Sequence, residues 1–320
     1  KLVQAALRLR RGRGVVLSDT LNFPSDLYIL QGRLQAAPGL SGDVPTLHLV
    51  DPPDPDDATA AILDAIDDDT ALVTLSHVVF KSGYRYDAAA ITRRAHEHGA
   101  LVLWDLSHAA GATPVDLDAW EADFAVGCTY KYLNGGPGAP AFLYVRRDLQ
   151  DQAVSPVWGW FGQERPFAFD LDYHPAPGIA RFLCGTPPVL SLLAVESGVD
   201  LLLEAGLPAL FARSQAQTDY LIRLYDAALA PLGFSLGTPR DPRRRGSHVS
   251  LRHPEGYRIN LALIDSAQVI PDFREPDNLR LGIAPLYTRY ADIYDTVARI
   301  ARVVEERAYL RYPAARSAVT

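Results

Sequence analysis

Short apolar runs alternate with stretches of helical spacing along the first part of the chain. Residues 15–17, 46–50, 71–77, 101–105 and 123–128 read as strands, and the segments near 26–36, 58–66, 87–98 and 116–121 read as helices between them. Such alternation predicts an α/β fold with a mostly parallel central sheet flanked by helices. From Pro187 the pattern changes to helices near 189–205 and 208–231, strands near 247–252 and 257–263, and a final helix near 290–309. The expected organisation is a large domain over residues 1–186, followed by linking helices and a smaller C-terminal α/β domain over 187–320. The Pro- and Asp-rich stretch at 51–57 reads as a connecting loop, because the alternation resumes after it. The opening residues to Gly12 read as the later part of a helix, and the tail 314–320 has too few apolar residues to order itself.

Composition narrows the class. The chain has 320 residues, 48% of them hydrophobic and 22% charged, which is enough for a sizeable core and two lobes. A net charge of −7 argues against a general nucleic-acid or anionic-membrane binder, and the basic run from Arg240 reads as a solvated loop. Two cysteines, Cys128 and Cys184, make no disulfide framework, which fits a reducing compartment. With no bilayer-length apolar stretch and no signal-peptide layout, the cytoplasm is the expected location. No Cys/His spacing suits zinc. The sequence contains no methionine, so further chain is expected before Lys1.

Lys131 is the most informative candidate. It follows a strand pattern and opens the glycine-rich stretch Cys-Thr-Tyr-Lys-Tyr-Leu-Asn-Gly-Gly-Pro-Gly from Cys128. A lysine at a strand end between two tyrosines has its ammonium form disfavoured by burial, and a free amine can form a Schiff base with a carbonyl. The plain alternative is a surface lysine opening a hairpin. Upstream, the run Leu-Val-Leu-Trp-Asp from Leu101 reads as a buried strand whose apolar residues stop at Asp105. In open α/β sheets, ligands bind beyond the carboxyl ends of the strands. A carboxylate there either caps the following turn or meets a cation, and a protonated pyridine nitrogen is one such cation. Lysine and aspartate at the ends of successive strands are what pyridoxal phosphate chemistry requires.

Asp-Leu-Ser-His-Ala-Ala-Gly from Asp105 and the stretch from Cys128 resemble the cofactor segments of kynureninase, a fold-type I pyridoxal phosphate enzyme of the aminotransferase class V type. The resemblance runs from about residue 1 to about residue 312. It implies cleavage of kynurenine, or its ring-hydroxylated form, to the corresponding anthranilate and alanine, with Lys131 carrying the cofactor. Asp105 then holds the ring nitrogen, and Tyr130 reaches the phosphate and relays a proton. In Phe23-Pro24-Ser25-Asp26, the resemblance implies an aromatic ring stacked on the pyridine and an aspartate beside it. The alternative reading places Phe23 in the core, with Ser25 or Asp26 capping a helix. Ser76 matches a phosphate contact, or a strand-terminal hydroxyl. His108 lies near the ring in relatives, or is a satisfied structural histidine. Trp160 matches an indole that donates to the phosphate, or packs as an aromatic.

Thr186 matches a phosphate contact from the partner subunit of a homodimer, or a turn residue before proline. Arg280 matches the arginine that clamps the substrate α-carboxylate, or is a solvated strand arginine. The family's N-terminal phosphate loop and substrate-contacting segment would precede Lys1. Two other readings stand beside this one. Another fold-type I enzyme, a cysteine desulfurase or aminotransferase, would share the lysine and aspartate, although desulfurases usually place a histidine where this chain has Tyr130. A non-enzymatic dimerising homologue is the third.

Overall fold

The apolar runs form strands because they can be covered on both faces. In the computed structural model, which describes residues 1–35 and 45–315, the elements follow in the order α1 (Leu2–Leu9), β1 (Val15–Asp19), α2 (Pro24–Gln35), β2 (Thr46–Val50), α3 (Ala58–Ala65), β3 (Thr70–Ser76), α4 (Ala88–Glu97), β4 (Leu101–Asp105), β5 (Phe124–Gly127), β6 (Phe142–Val145), α5 (Val189–Ala205), α6 (Leu207–Leu224), β7 (Ser235–Leu236), β8 (His248–Arg252), α7 (Gly256–Ser266), β9 (Asp272–Arg274), β10 (Asn278–Gly282) and α8 (Tyr290–Glu305). The chain divides into two units. The first holds residues 1–77, 86–107 and 115–199, and the second holds 78–85, 108–114 and 200–320.

The first unit is built on a six-stranded sheet in the order β2-β1-β3-β4-β5-β6. Its first five strands are parallel, and β6 returns antiparallel to β5. β3 is buried along its whole length and β4 along all but its last residue, as expected for central strands covered on both faces. Leu2, Val3, Ala5 and Ala6 of α1 join Val16, Leu72, Leu101 and Phe124 in one core. Each fully buried leucine there contributes roughly 1.5–3 kcal/mol relative to exposure. Parallel strands share one direction, so Asp19, Ser76 and Asp105 fall at the same edge of the sheet, and Ser76 pairs directly with Asp105.

The second unit carries an antiparallel sheet in the order β7-β8-β10-β9. Val249, Leu251, Leu279 and Leu281 pack with Ile259 and Leu263 of α7 and with Ile293, Val297 and Ile300 of α8.

Two sequence expectations are corrected. Residues 257–263 form part of a helix, not a strand. Tyr257, Ile259, Asn260, Ala262 and Leu263 are its buried positions, a helical spacing that also alternates apolar and polar residues over a short window. Residues 116–121 make a capped turn, in which Asp116 Oδ1 accepts from Ala119 N at 2.9 Å. Strands β6, β7, β9 and β10 were not among those expected. The helix expected to end near 231 ends at Leu224 and passes through a wider turn, 225–229, and a tighter one, 230–232. The expected end of the second helix at residue 36 and the tail 316–320 lie outside the described residues. No helix among the described residues is long and apolar enough to cross a membrane.

Candidate active site

β4 ends in Asp105 because the apolar run needs a polar stop at the sheet edge. Asp105 Oδ1 accepts from Ser107 N at 2.8 Å, so the carboxylate turns the chain after the strand. That leaves Oδ2 facing β3, 3.4 Å from Ser76 Oγ. The Ser76 hydroxyl donates to Asn22 Oδ1 at 2.7 Å, and Asn22 Nδ2 donates to Ser18 Oγ at 3.1 Å. Asn22 is buried and its Oδ1 also accepts from Phe23 N at 2.8 Å, which fixes the entry into α2. Sequence reasoning passed over Asn22. Its position immediately before the Phe-Pro-Ser-Asp motif was the available signal.

Pro24 begins α2, where its fixed φ and missing N–H cost nothing. Asp26 therefore stands in the first turn, and the residues before the helix are ordered by Asn22 rather than by a Ser25 or Asp26 cap. Phe23 is partly exposed at the same place. Asp26 faces Asp105, and burial together with repulsion and a hydrogen bond from that second carboxyl pushes its pKa up to about 7, against the opposing pull of Lys131. Asp26 thus keeps its proton up to near neutrality beside the second carboxyl group, with the lysine amine pulling the other way. Behind them, Asp19 is pushed up to about 6 by burial, although the Tyr86 hydroxyl donates to it.

Lys131 lies on a tightly bound turn. Gly135 N donates to Thr129 O at 2.8 Å, Asn134 N donates to Lys131 O at 3.0 Å, and Thr129 Oγ1 donates to Pro140 O at 2.6 Å. Helix α5 presses on this turn through two glycines. A Cβ on Gly135 would meet Val195 Cγ2 at 2.8 Å, and one on Gly198 would meet Leu133 O at 2.4 Å. Lys131 Nζ lies 5.7 Å from the centroid of the Tyr130 ring. The Tyr130 hydroxyl titrates above its ordinary range, chiefly through burial and then through Cys128 and Asp105.

Lys131, Tyr130, Asp105, Asp26 and Ser76 are therefore brought to one edge of the sheet, with Phe23, Pro24 and Ser25 at the start of the adjoining helix. Trp160 and Thr186 are both exposed and sit on neighbouring segments of the first unit, joined by Phe161 N donating to Cys184 O at 3.1 Å. His108 and Arg280 belong to the second unit. The His108 ring meets His248 edge to face at 5.3 Å. Arg280 Nη1 donates to Phe80 O at 2.7 Å, and its other terminal nitrogen pairs with Asp272. No cluster of three or more His, Cys, Asp or Glu side chains suited to a metal occurs among the described residues.

Residues 210–300 match the family model described as the kynureninase C-terminal domain. The chain is 45% identical to a kynureninase of Pseudomonas fluorescens over 313 residues, covering 97% of this chain and 73% of that protein. It is 44% identical to a kynureninase of Burkholderia mallei strain SAVP1, covering all of this chain and 76% of the relative. Among solved structures, the apo cysteine desulfurase of Thermococcus onnurineus NA1 superposes with a TM-score of 0.74 at 18% identity, over 97% of this chain and 76% of that one. A C-DES variant with glycine covalently linked to its PLP cofactor gives a TM-score of 0.77 at 19% identity, over 90% and 74% of the two chains. At those identities the structures speak for the fold alone, which is the mostly parallel α/β architecture of that group. The identity to the two kynureninases spans essentially the whole chain, and on that ground the chain belongs to the kynureninase family.

Proposed function

We propose that this chain hydrolyses kynurenine, or its ring-hydroxylated form, to the corresponding anthranilate and alanine, using pyridoxal phosphate held by Lys131. The observation that carries the reading is the meeting of Lys131, Asp105 and Asp26 at one sheet edge, in a chain of this family. The donor set fits the cofactor. Lys131 would hold the aldehyde, and Asp105, with Asp26 beside it, would face the pyridine nitrogen and favour its protonated form. Phe23 offers a ring to stack on the pyridine. Tyr130, Trp160 and Thr186 offer O–H and N–H donors for a phosphate, whereas the Ser76 hydroxyl already donates to Asn22 Oδ1. When bound, the cofactor supplies an aldehyde that captures amines and a ring that accepts electrons released at the substrate carbon.

The chain's own groups then divide the work. Lys131 Nζ would hold the aldehyde and would move the substrate α proton, and the turn braced by α5 would keep that amine in place. Asp105, aimed by Ser107 N and backed by Ser76 and Asn22, would hold the ring nitrogen. The raised Tyr130 hydroxyl is a phenol at neutral pH, so it serves as a proton donor in the step where water adds to the γ ketone and the bond between Cβ and Cγ breaks. Arg280 takes the substrate α-carboxylate. The working form is a homodimer in which Trp160 and Thr186 serve the neighbouring subunit.

The test is a titration of the chain with pyridoxal phosphate, followed by absorbance, beside Lys131→Ala and with kynurenine added afterwards. A long-wavelength band lost in the variant, followed by anthranilate fluorescence, is the expected outcome. A cofactor-bound protein that released sulfur from cysteine and no anthranilate would sink this reading.

A further inference from the structure

Arg280 lies in β10 between two neighbours, opposite Ser250 of β8 and Asp272 of β9. Directly paired residues of antiparallel strands share one face, so the Asp272 carboxylate stands beside the Arg280 guanidinium by register alone. The contact is made: one terminal nitrogen of Arg280 pairs with Asp272 Oδ2, while Asp272 Oδ1 pairs with Arg274 Nη1 at 2.9 Å. The second anchor is the Phe80 carbonyl, which accepts from Arg280 Nη1 at 2.7 Å.

That carbonyl is itself held. Residues 78–85 form a small hairpin, with Val78 bridged to Arg85 and Gly83 N donating to Val79 O at 2.9 Å. Thr238 Oγ1 donates to Ser82 O at 2.7 Å, and Gly246 N donates to Gly83 O at 2.8 Å, which stitches the hairpin into the second unit. Gly83 has φ +75°, and a Cβ there would meet His248 O at 2.9 Å, so the hairpin sits flush against β8.

A guanidinium offers five N–H groups in one plane, and a carboxylate is bound best by two of them along one edge. Anchors on both terminal nitrogens, from two separate elements, hold the guanidinium plane against rotation while leaving N–H groups for a ligand. The Arg280 side chain is only 12% exposed, so a ligand can reach only a small part of it.

We propose that Asp272 and the Phe80 carbonyl of the 78–85 hairpin are positioning groups that fix the guanidinium plane of Arg280, and that they thereby set the preference of this enzyme for substrates bearing an α-carboxylate. This rests on the reading of Arg280 as the carboxylate clamp. Asp272 is the half open to substitution. Its loss leaves Arg280 charged but held at one point, so bidentate capture weakens while contacts to the rest of the substrate persist.

The experiment compares kynurenine with its decarboxylated amine on the cofactor-loaded chain, for wild type, Asp272→Ala, Asp272→Asn and Arg280→Ala. Asp272→Ala is expected to raise KM for kynurenine about tenfold, equivalent to about 1.4 kcal/mol, with kcat little changed. The inhibition constant of the amine should stay where it was. Asp272→Asn keeps an acceptor in place and should recover most of the loss, while Arg280→Ala should abolish the preference for the carboxylate altogether. Equal weakening of both ligands by Asp272→Ala, or a fall in KM, would overturn the positioning role while Arg280→Ala still upheld the clamp. A carboxylate preference that survives Arg280→Ala would overturn the clamp itself, and the positioning role with it.

Discussion

At the scale of single residues, the raised pKa of Asp26 makes a prediction about stability. Asp26 has a folded pKa near 7, against an ordinary value of 3.8. The folded state therefore binds the proton more tightly than the unfolded state, and stability declines as pH rises from about 4 to about 7. Asp26→Asn removes that penalty. The cofactor-free variant should be more stable than wild type at pH 7.5, by on the order of 1–2 kcal/mol after allowing for partial solvent screening. The two should converge near pH 4, as measured by urea melts across that range. Asp19, pushed up to about 6 by burial, contributes a slope of the same sign to both proteins and cancels in the comparison. Equal stability at every pH would show that the Asp26 carboxyl is not held protonated by its surroundings. A pyridinium placed against Asp105 would shift the balance toward the carboxylate, so added cofactor should flatten the wild-type slope.

At the scale of elements, how much could be read from the sequence depended on how local the cause was. β3 and β4 were legible because a central parallel strand is apolar on both faces, and Asp105 was legible because it interrupts such a run. The helix at 256–266 was misread because its large apolar residues, Tyr257, Ile259, Leu261 and Leu263, alternate as in a strand, whereas the positions it buries follow helical spacing that only its packing against β10 reveals. Lys131 and its glycines were legible as a motif. The reason for Gly135 was not, since it lies in Val195, sixty positions along the chain. Asn22 and Asp272 were missed for the same reason, because their partners come from other strands. The contact between α5 and the lysine turn predicts opposite outcomes for one chemical change. Gly32, on α2, has nothing within 4 Å of where a Cβ would stand, whereas Gly198 meets two backbone carbonyls. Gly32→Ala should raise stability by about 0.5–1 kcal/mol. Gly198→Ala should lower it by about 1–3 kcal/mol, because backbone must move. Thermal melts of the two variants would check both signs, and Gly198→Ala should also weaken cofactor capture by Lys131.

At the scale of the whole molecule, the surface of the first unit carries apolar side chains that water covers poorly. Phe167 and Phe169 are each 72% exposed, and Leu190, near the start of α5, is 85% exposed. Trp160 stacks against Phe169 at 6.4 Å within the same cluster. Exposed aromatic clusters of this kind suit an interface, and a second copy of the chain is the occupant the homodimer reading requires. The reading makes a demand that a simple dimer would not. If Trp160 and Thr186 serve the neighbouring site, Lys131→Ala in one chain and a Trp160→Ala, Thr186→Ala pair in another are defects that complement. Each preparation alone should be nearly inactive. After mixing and exchange of subunits, half of the dimers carry one chain of each kind, and one of their two sites receives an intact Lys131 together with an intact Trp160 and Thr186. Activity should therefore return to about a quarter of wild type under random reassortment. Sedimentation of the mixture establishes that dimers form, and anthranilate fluorescence reads the recovery. Dimers that form without any recovery would mean that each site draws on its own chain alone, and the exposed aromatics would then hold the subunits together without completing the chemistry.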